Sequence, residues 1–280
     1  MNRKIAKTLA QRKRNIQNRL DKRVLPETSG PMLNPGNIHY EIAGRARGIP
    51  CGGIGAIQKM LQQIGLDKAI NRQLPIFKLR NPYYESDHVL NIAYNILCDG
   101  DCLEDVERLR NDEAYLDAVG ARRIPDPTTA GDFCRRFSSW HVETLQDIIN
   151  ETRLHVWKQQ VPGFFKEAVI DADGTIAPTT GQCKEGMDIS YQGVWGYHPL
   201  VVFLSNTGEP LYLCNRSGNS SSSKDAAGYL DRAAALCRQG GFKKIRFRGD
   251  TDFSQTAYLD SWGYGGNCVC VWNQCHAQPH

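Results

Sequence analysis

The chain has 280 residues, 41% of them hydrophobic and 23% charged, with a formal net charge of +4, a composition ordinary for a globular protein with one large core or two modest ones. No apolar run approaches the roughly 18 residues that a membrane helix needs, and the N-terminus is basic with no apolar stretch behind it, so neither a membrane span nor a secretory signal is expected. The ten cysteines form no C-x-x-C pair, which argues against a zinc ribbon, and free thiols in a reducing cytosol are expected.

The charge is unevenly placed. Arg3, Lys4, Lys7, Arg12, Lys13, Arg14, Arg19, Lys22 and Arg23 face one acid, Asp21, at the start of the chain. Such a run attracts phosphate backbones by charge and counterion release, or else forms a solvated tail. Leu25 to Pro50 is rich in Pro, Gly and Asn without periodicity, so residues 1–50 read as a basic arm and linker. Residues 51–162 read as a helical, DNA-binding region. Ile54, Ile57, Met60, Leu61 and Ile64 recur at helical spacing, with Gly65 as the stop. Ser86 is placed to cap a helix carrying Val89, Leu90, Ile92, Ala93, Ile96 and Leu97. Leu103 to Val119 reads as one acidic amphipathic helix. Pro125-Asp126-Pro127-Thr128-Thr129 forms a turn and N-cap, and a last helix is expected from Val142 to Trp157.

After Pro162-Gly163 the pattern changes. Ala168 to Ala172 suits a buried strand. His198 to Leu204 and Pro210 to Asn215 flank the turn signal Asn206-Thr207-Gly208 and read as a hairpin. Lys224 to Arg238 is helical, and Lys243 to Arg248 is a strand ending at Gly249-Asp250. The expected fold is α+β: an all-helical N-terminal region followed by an incomplete ribonuclease-H-like mixed β-sheet core over residues 163–280.

Two acidic strand ends bracket the hairpin. Asp171 and Asp173 are two apart, so on a strand they share a face; Asp250 ends the later strand. Carboxylate oxygens are the ligands that hard cations such as Mg²⁺ prefer, and paired cations can drive phosphodiester cleavage. A single acid after a strand is more often a cap or turn residue. Trp195, Tyr197 and His198 are read as hairpin packing rather than as rings that stack on a base, Ser220 to Ser223 as a loop, and Lys243, Lys244, Arg246 and Arg248 as either phosphate contacts or a solvated face.

Val169-Ile170-Asp171-Ala172-Asp173-Gly174-Thr175 resembles the first motif of insertion-sequence DDE transposases. Arg248-Gly249-Asp250-Thr251-Asp252-Phe253 resembles their second, and Arg216-Ser217-Gly218-Asn219 their R-x-G-N turn. Leu103 to Leu109 and Thr129 to Phe137 look like the helical region in front of that core. The resemblance runs from about Gly52 to Trp262. It implies Asp173 and Asp250 as catalytic metal ligands for Mg²⁺ or Mn²⁺, with Asp171 a supporting acid or the first ligand itself. It also implies strand cleavage and transfer at terminal inverted repeats and a homodimer when full length. With the basic run and basic strand, DNA contacts are expected from Arg3, Lys4, Arg12, Lys13, Arg14, Arg216 and Arg248, in a cytoplasmic, nucleoid-associated protein.

The family's third acid is a Glu on a later helix, and no such motif follows Asp250 in this chain. The chain is therefore expected to be truncated and to have little cleavage activity alone. Cys268 to Pro279 fits neither strand nor helix well; it reads either as a plain polar terminus or as the product of a frameshift, since suitable codons read one base later spell a strand and turn. Two alternatives stand beside this reading. One is a haloacid-dehalogenase-like phosphatase, with Asp171 as nucleophile, Asp173 as general acid, and Lys243 or Lys244 beside a metal-binding Asp250. About 165 helical and basic residues in front of the motif and a hairpin behind it argue against that. The other is a non-catalytic DNA-binding protein.

Overall fold

The structure is a computed structural model that describes residues 3–22, 30–34, 38, 48–49, 51–181, 184–250, 258 and 268–272; at residues 3, 22, 250 and 268–272 it describes the backbone alone. The chain divides into two compact units, Met1–Thr152 and Arg153–His280. No helix among the described residues is long and apolar enough to cross a membrane.

The first unit is helical. It contains α1 (Arg3–Lys22), α2 (Ile54–Ile64), α3 (Leu66–Gln73), α4 (Glu85–Leu97), α5 (Val106–Arg110), α6 (Glu113–Ala118), α7 (Pro127–Arg135) and most of α8 (Ser139–Trp157). Local chemistry sets the ends. Gly65, at φ 78°, closes α2 in the left-handed conformation that glycine adopts without steric cost. The Asp126 carboxylate accepts from Thr129 N at 2.9 Å and opens α7, with Pro127 in its first turn. The core gathers Ile54, Leu90, Tyr94, Val106, Leu109, Tyr115, Leu116, Val119 and Ile124, and Ile16 of α1 joins it. The basic arm is thus a helix with an apolar stripe, docked within its unit.

Three expectations change here. Leu103 to Val119 is not one helix: a 3-10 turn at Leu103–Asp105 leads into α5, and the chain breaks at Asn111-Asp112. Asp112 accepts from Ala114 N at 2.9 Å and Tyr115 N at 3.2 Å, restarting the helix as α6. Ser86 lies inside the first turn of α4 rather than capping it, because Asp87 instead accepts from Tyr84 N at 2.8 Å and from Leu33 N at 2.8 Å. Burial raises the Asp87 pKa against those donors. Finally, not all thiols are free. Packing brings Cys51 and Cys98 to a Cα separation of 5.2 Å, and they form a disulfide, within the reach a disulfide spans. The linker expected from Leu25 to Pro50 lies mostly outside the described residues.

The second unit is built on a five-stranded mixed sheet of order β6-β5-β1-β7-β8. Its strands are β1 (Ala168–Gly174), β5 (Leu200–Leu204), β6 (Glu209–Cys214), β7 (Ile245–Asp250) and β8 (Cys268–Trp272), with α9 (Ala226–Gly240) between β6 and β7 in sequence. β5 and β6 run antiparallel beside β1, while β7 and β8 run parallel to it. Ala168, Ile170 and Ala172 of β1 share a core with Ala226, Leu230, Ala233 and Cys237 of α9 and with Trp157. Burial pushes the Cys237 thiol up to about 12. The segment Cys268–Trp272, expected to suit neither helix nor strand, pairs with β7 as β8; alternating Val269 and Val271 favour the extended chain. Between β1 and β5 a small second sheet is inserted, of order β2-β4-β3, from Ala177–Pro178, Trp195–Tyr197 and Asp188–Ile189.

Within the first unit, His88 is 2% exposed and stacks on Phe133 with ring centroids 4.5 Å apart. Burial, then the nearby Arg136, lowers its pKa to about 4. The folded state therefore resists protonation that the unfolded chain accepts near pH 6.5. This contribution is full above pH 6.5 and is lost as pH falls toward 4. Stability should drop by about 2 kcal/mol between pH 7 and pH 5 through this group alone. Urea midpoints of the wild type and His88→Phe at the two pH values check it: the variant should lose less by that amount, and parallel losses would refute it.

Candidate active site

On β1 the buried Ala168, Ile170 and Ala172 alternate with Val169, Asp171 and Asp173, so the two acids share the open face. Their surroundings differ. In the parallel register Asp171 lies opposite Arg248 of β7. The guanidinium closes on it with both arms, Nε to Oδ1 at 2.7 Å and Nη2 to Oδ2 at 2.5 Å, and Nη2 also donates to Ser205 Oγ at 2.6 Å. Such a forked pair fixes the carboxylate's orientation as well as its charge. Arg246 donates from both Nε and Nη2 to one oxygen of Glu167, Oε1, at 3.1 and 2.9 Å. Asp173, two residues further along, is exposed. Its carboxylate has no hydrogen bond or ion pair among the described residues.

Asp250 is the last residue of β7 and pairs with Trp272 of β8. The paired register of β1 and β7 ends at Asp171 and Arg248; Asp173 and Asp250 each lie two residues beyond that pair. The side chain of Asp250 lies outside the described set, as do Asp252 and Phe253. Among the described residues no group of three or more His, Cys, Asp or Glu is placed to hold a metal ion.

Arg216, expected to reach DNA, is instead 5% exposed. Nε donates to His198 O at 2.9 Å, and Nη1 to the carbonyls of Ser221, Ser222 and Lys224 at 3.2, 2.9 and 2.6 Å. Burial lowers its pKa. The His198 ring is also buried, and its Nδ1 meets Ser220 O at 2.7 Å; the carbonyl can only accept, so Nδ1 carries the proton. Both side chains back onto the residue after Asp173. A Cβ on Gly174 would lie 2.6 Å from His198 Nε2 and 3.3 Å from Arg216 Nη2. The R-x-G-N turn is thus a clasp. Its glycine, Gly218, leaves no room for a Cβ, which would stand 2.2 Å from Asp188 O, and Asn219 donates to the Asp188 carboxylate. Sequence reading missed His198 and Gly174 as parts of the site. Only the glycine after the second acid hinted at a close approach. Trp195 and Tyr197 belong to β4, and Trp195 is 53% exposed.

The arm's cations are also engaged. Arg12 lies 3.8 Å from Asp112, Lys13 2.6 Å from Glu107, and Arg19 2.7 Å from Asp117. Burial works to raise the Glu107 pKa, but Lys13 and Arg110 bring it below the ordinary value. Lys4 and Arg14 are exposed on α1, and Arg3 is described by its backbone alone.

The phosphatase alternative needs the Asp171 carboxylate free to attack, and Arg248 holds both of its oxygens. The family comparison points elsewhere. No curated protein matches the sequence. A solved piggyBac transposase synaptic complex with hairpin DNA is similar, with a TM-score of 0.39 and 11% identity, over 80% of this chain and 52% of that one. The chain therefore spans about half the length of that structure. A family model described as transposase DDE domain group 1 matches residues 49–263. That span holds most of the chain and both acidic strand ends, so the protein belongs to the transposase DDE domain group 1 family.

Proposed function

We propose that this chain binds the DNA ends of a mobile element, and that the C-terminal ends of β1 and β7 form the cation-binding part of a DNA strand-cleavage and transfer site. The single observation behind this is the asymmetry of the two β1 acids: Asp171 is clasped by Arg248, whereas Asp173 is exposed, with no hydrogen bond or ion pair among the described residues. The strand order, with a hairpin on one side of β1 and parallel strands on the other, supports a ribonuclease-H-like reading of the core.

The donor set suits a hard divalent cation, Mg²⁺ or Mn²⁺, because an exposed carboxylate with no partner among the described residues is an oxygen ligand needing no rearrangement. Asp173 and Asp250 would hold it, and when bound it would supply Lewis-acid charge to a phosphodiester. Arg248 cancels the charge of Asp171, so one β1 carboxylate supports the strand end while the other meets the ligand. Arg216 and His198 pack against Gly174, the strand residue that follows Asp173. Cleavage is proposed to need a third carboxylate besides Asp173 and Asp250. A second copy of the chain is the expected partner at paired element ends, in the cytoplasm at the nucleoid.

Mn²⁺ binding, followed by water-proton relaxation on the full chain, tests the assignment. Asp173→Asn should weaken binding at least tenfold and Asp171→Asn by less than about threefold, since only the first carboxylate is an open ligand. Equal effects of the two variants would refute the distinction. Plasmid nicking with Mn²⁺ that survives Asp173→Asn would refute the site.

A further inference from the structure

The cations that the sequence marks for DNA are largely engaged with acids or carbonyls, whereas two that it does not mark are open. Arg123 and Arg136 of the first unit are exposed, and neither has a carboxylate partner among the described residues. Each lies over an aromatic ring. The Arg136 guanidinium is 5.5 Å from the Phe77 centroid, and that of Arg123 is 5.6 Å from the Tyr83 centroid. The two rings are parts of one cluster, both packed on His88, at 5.3 and 5.7 Å. The exposed Lys78 follows Phe77 directly.

The acids nearby are occupied. Glu85 is paired with Arg80 at 2.8 Å, Asp132 with Arg135, and Asp126 accepts from both the amide and the hydroxyl of Thr129. The result is a surface with guanidiniums held in place by rings and an excess of positive charge. A guanidinium is weakly hydrated and presents a planar fork that matches phosphate oxygens. Stacking on a ring restrains it beforehand, so less freedom is lost on contact.

We propose that Arg123 and Arg136, on the Phe77–Tyr83–His88 cluster, contact the phosphodiester backbone of duplex DNA. The inference rests on the DNA-binding reading above and names the surface that serves it. Phosphate contacts of this kind position the protein without reading sequence.

The test is fluorescence anisotropy with the full chain and labelled duplexes of two unrelated sequences, over a range of KCl concentrations. Arg123→Ala and Arg136→Ala should each weaken binding by roughly three- to tenfold on both duplexes. The double variant should reduce the slope of log K against log salt by about 2, from roughly 0.9 per phosphate contact. Arg135→Ala, whose side chain is already paired with Asp132, should change neither. The Arg123→Lys, Arg136→Lys chain should keep the slope, since the charges remain. A double alanine variant with wild-type affinity and slope would overturn the inference while leaving DNA binding itself intact. A wild-type chain that binds neither duplex would overturn the DNA-binding reading and the inference with it.

Discussion

Arg216→Lys should destabilise the protein by on the order of 4 kcal/mol, although the charge is kept. The guanidinium spans His198 O on one side and the carbonyls of Ser221, Ser222 and Lys224 on the other. An ammonium donates from a single point and cannot reach both sides. Each buried carbonyl left without a donor costs about 1–3 kcal/mol, and the chain following the clasp leads directly into α9. The urea midpoint should fall sharply. A residue that merely touched DNA from the surface would behave in the opposite way, with stability unchanged within about 0.5 kcal/mol and only binding affected. An unaltered midpoint in Arg216→Lys would return this arginine to the role that the sequence suggested.

The contrast shows what a sequence conveys here and what it does not. Gly65 and Asp126 marked helix ends correctly, because capping depends on residues a turn apart. β1, the β5–β6 hairpin around Asn206-Thr207-Gly208, and β7 were legible from alternation, apolar runs and turn chemistry. The small sheet was not, since strands as short as Ala177–Pro178 and Asp188–Ile189 carry no measurable period. The break at Asn111-Asp112 was hidden because the amphipathic pattern continues across it. At the site, the positions of Asp173 and Asp250 near strand ends could be read locally, whereas Asp171 lies in the middle of β1. Which β1 acid is open could not, because Arg248 is 77 residues away and only the parallel register brings it onto Asp171. Charge posed the same difficulty. The sequence counts arginines, but the partners of Arg12 and Arg19 lie on α6 or at its cap, and ring-stacked Arg123 and Arg136 carry no sequence mark.

Gly174→Ala should cost about 3 kcal/mol, and the reason bears on how Asp173 is held. The new Cβ would meet the His198 ring at 2.6 and 3.0 Å and Arg216 Nη2 at 3.3 Å. Neither neighbour is a loose side-chain end: the ring is fixed by Ser220 O and the guanidinium by four carbonyls. The strand end must therefore yield, and Asp173 is the residue it carries. Removing the ring should relieve the clash. His198→Ala alone should cost about 2 kcal/mol through the cavity it leaves, yet the double variant should be more stable than the sum of the single effects by at least about 1.5 kcal/mol, as expected for groups in direct contact. The same double variant should regain part of the Mn²⁺ affinity that Gly174→Ala loses. Additive stabilities, or Mn²⁺ binding indifferent to Gly174→Ala, would mean that the buried histidine and arginine do not set the geometry of the acid beside them.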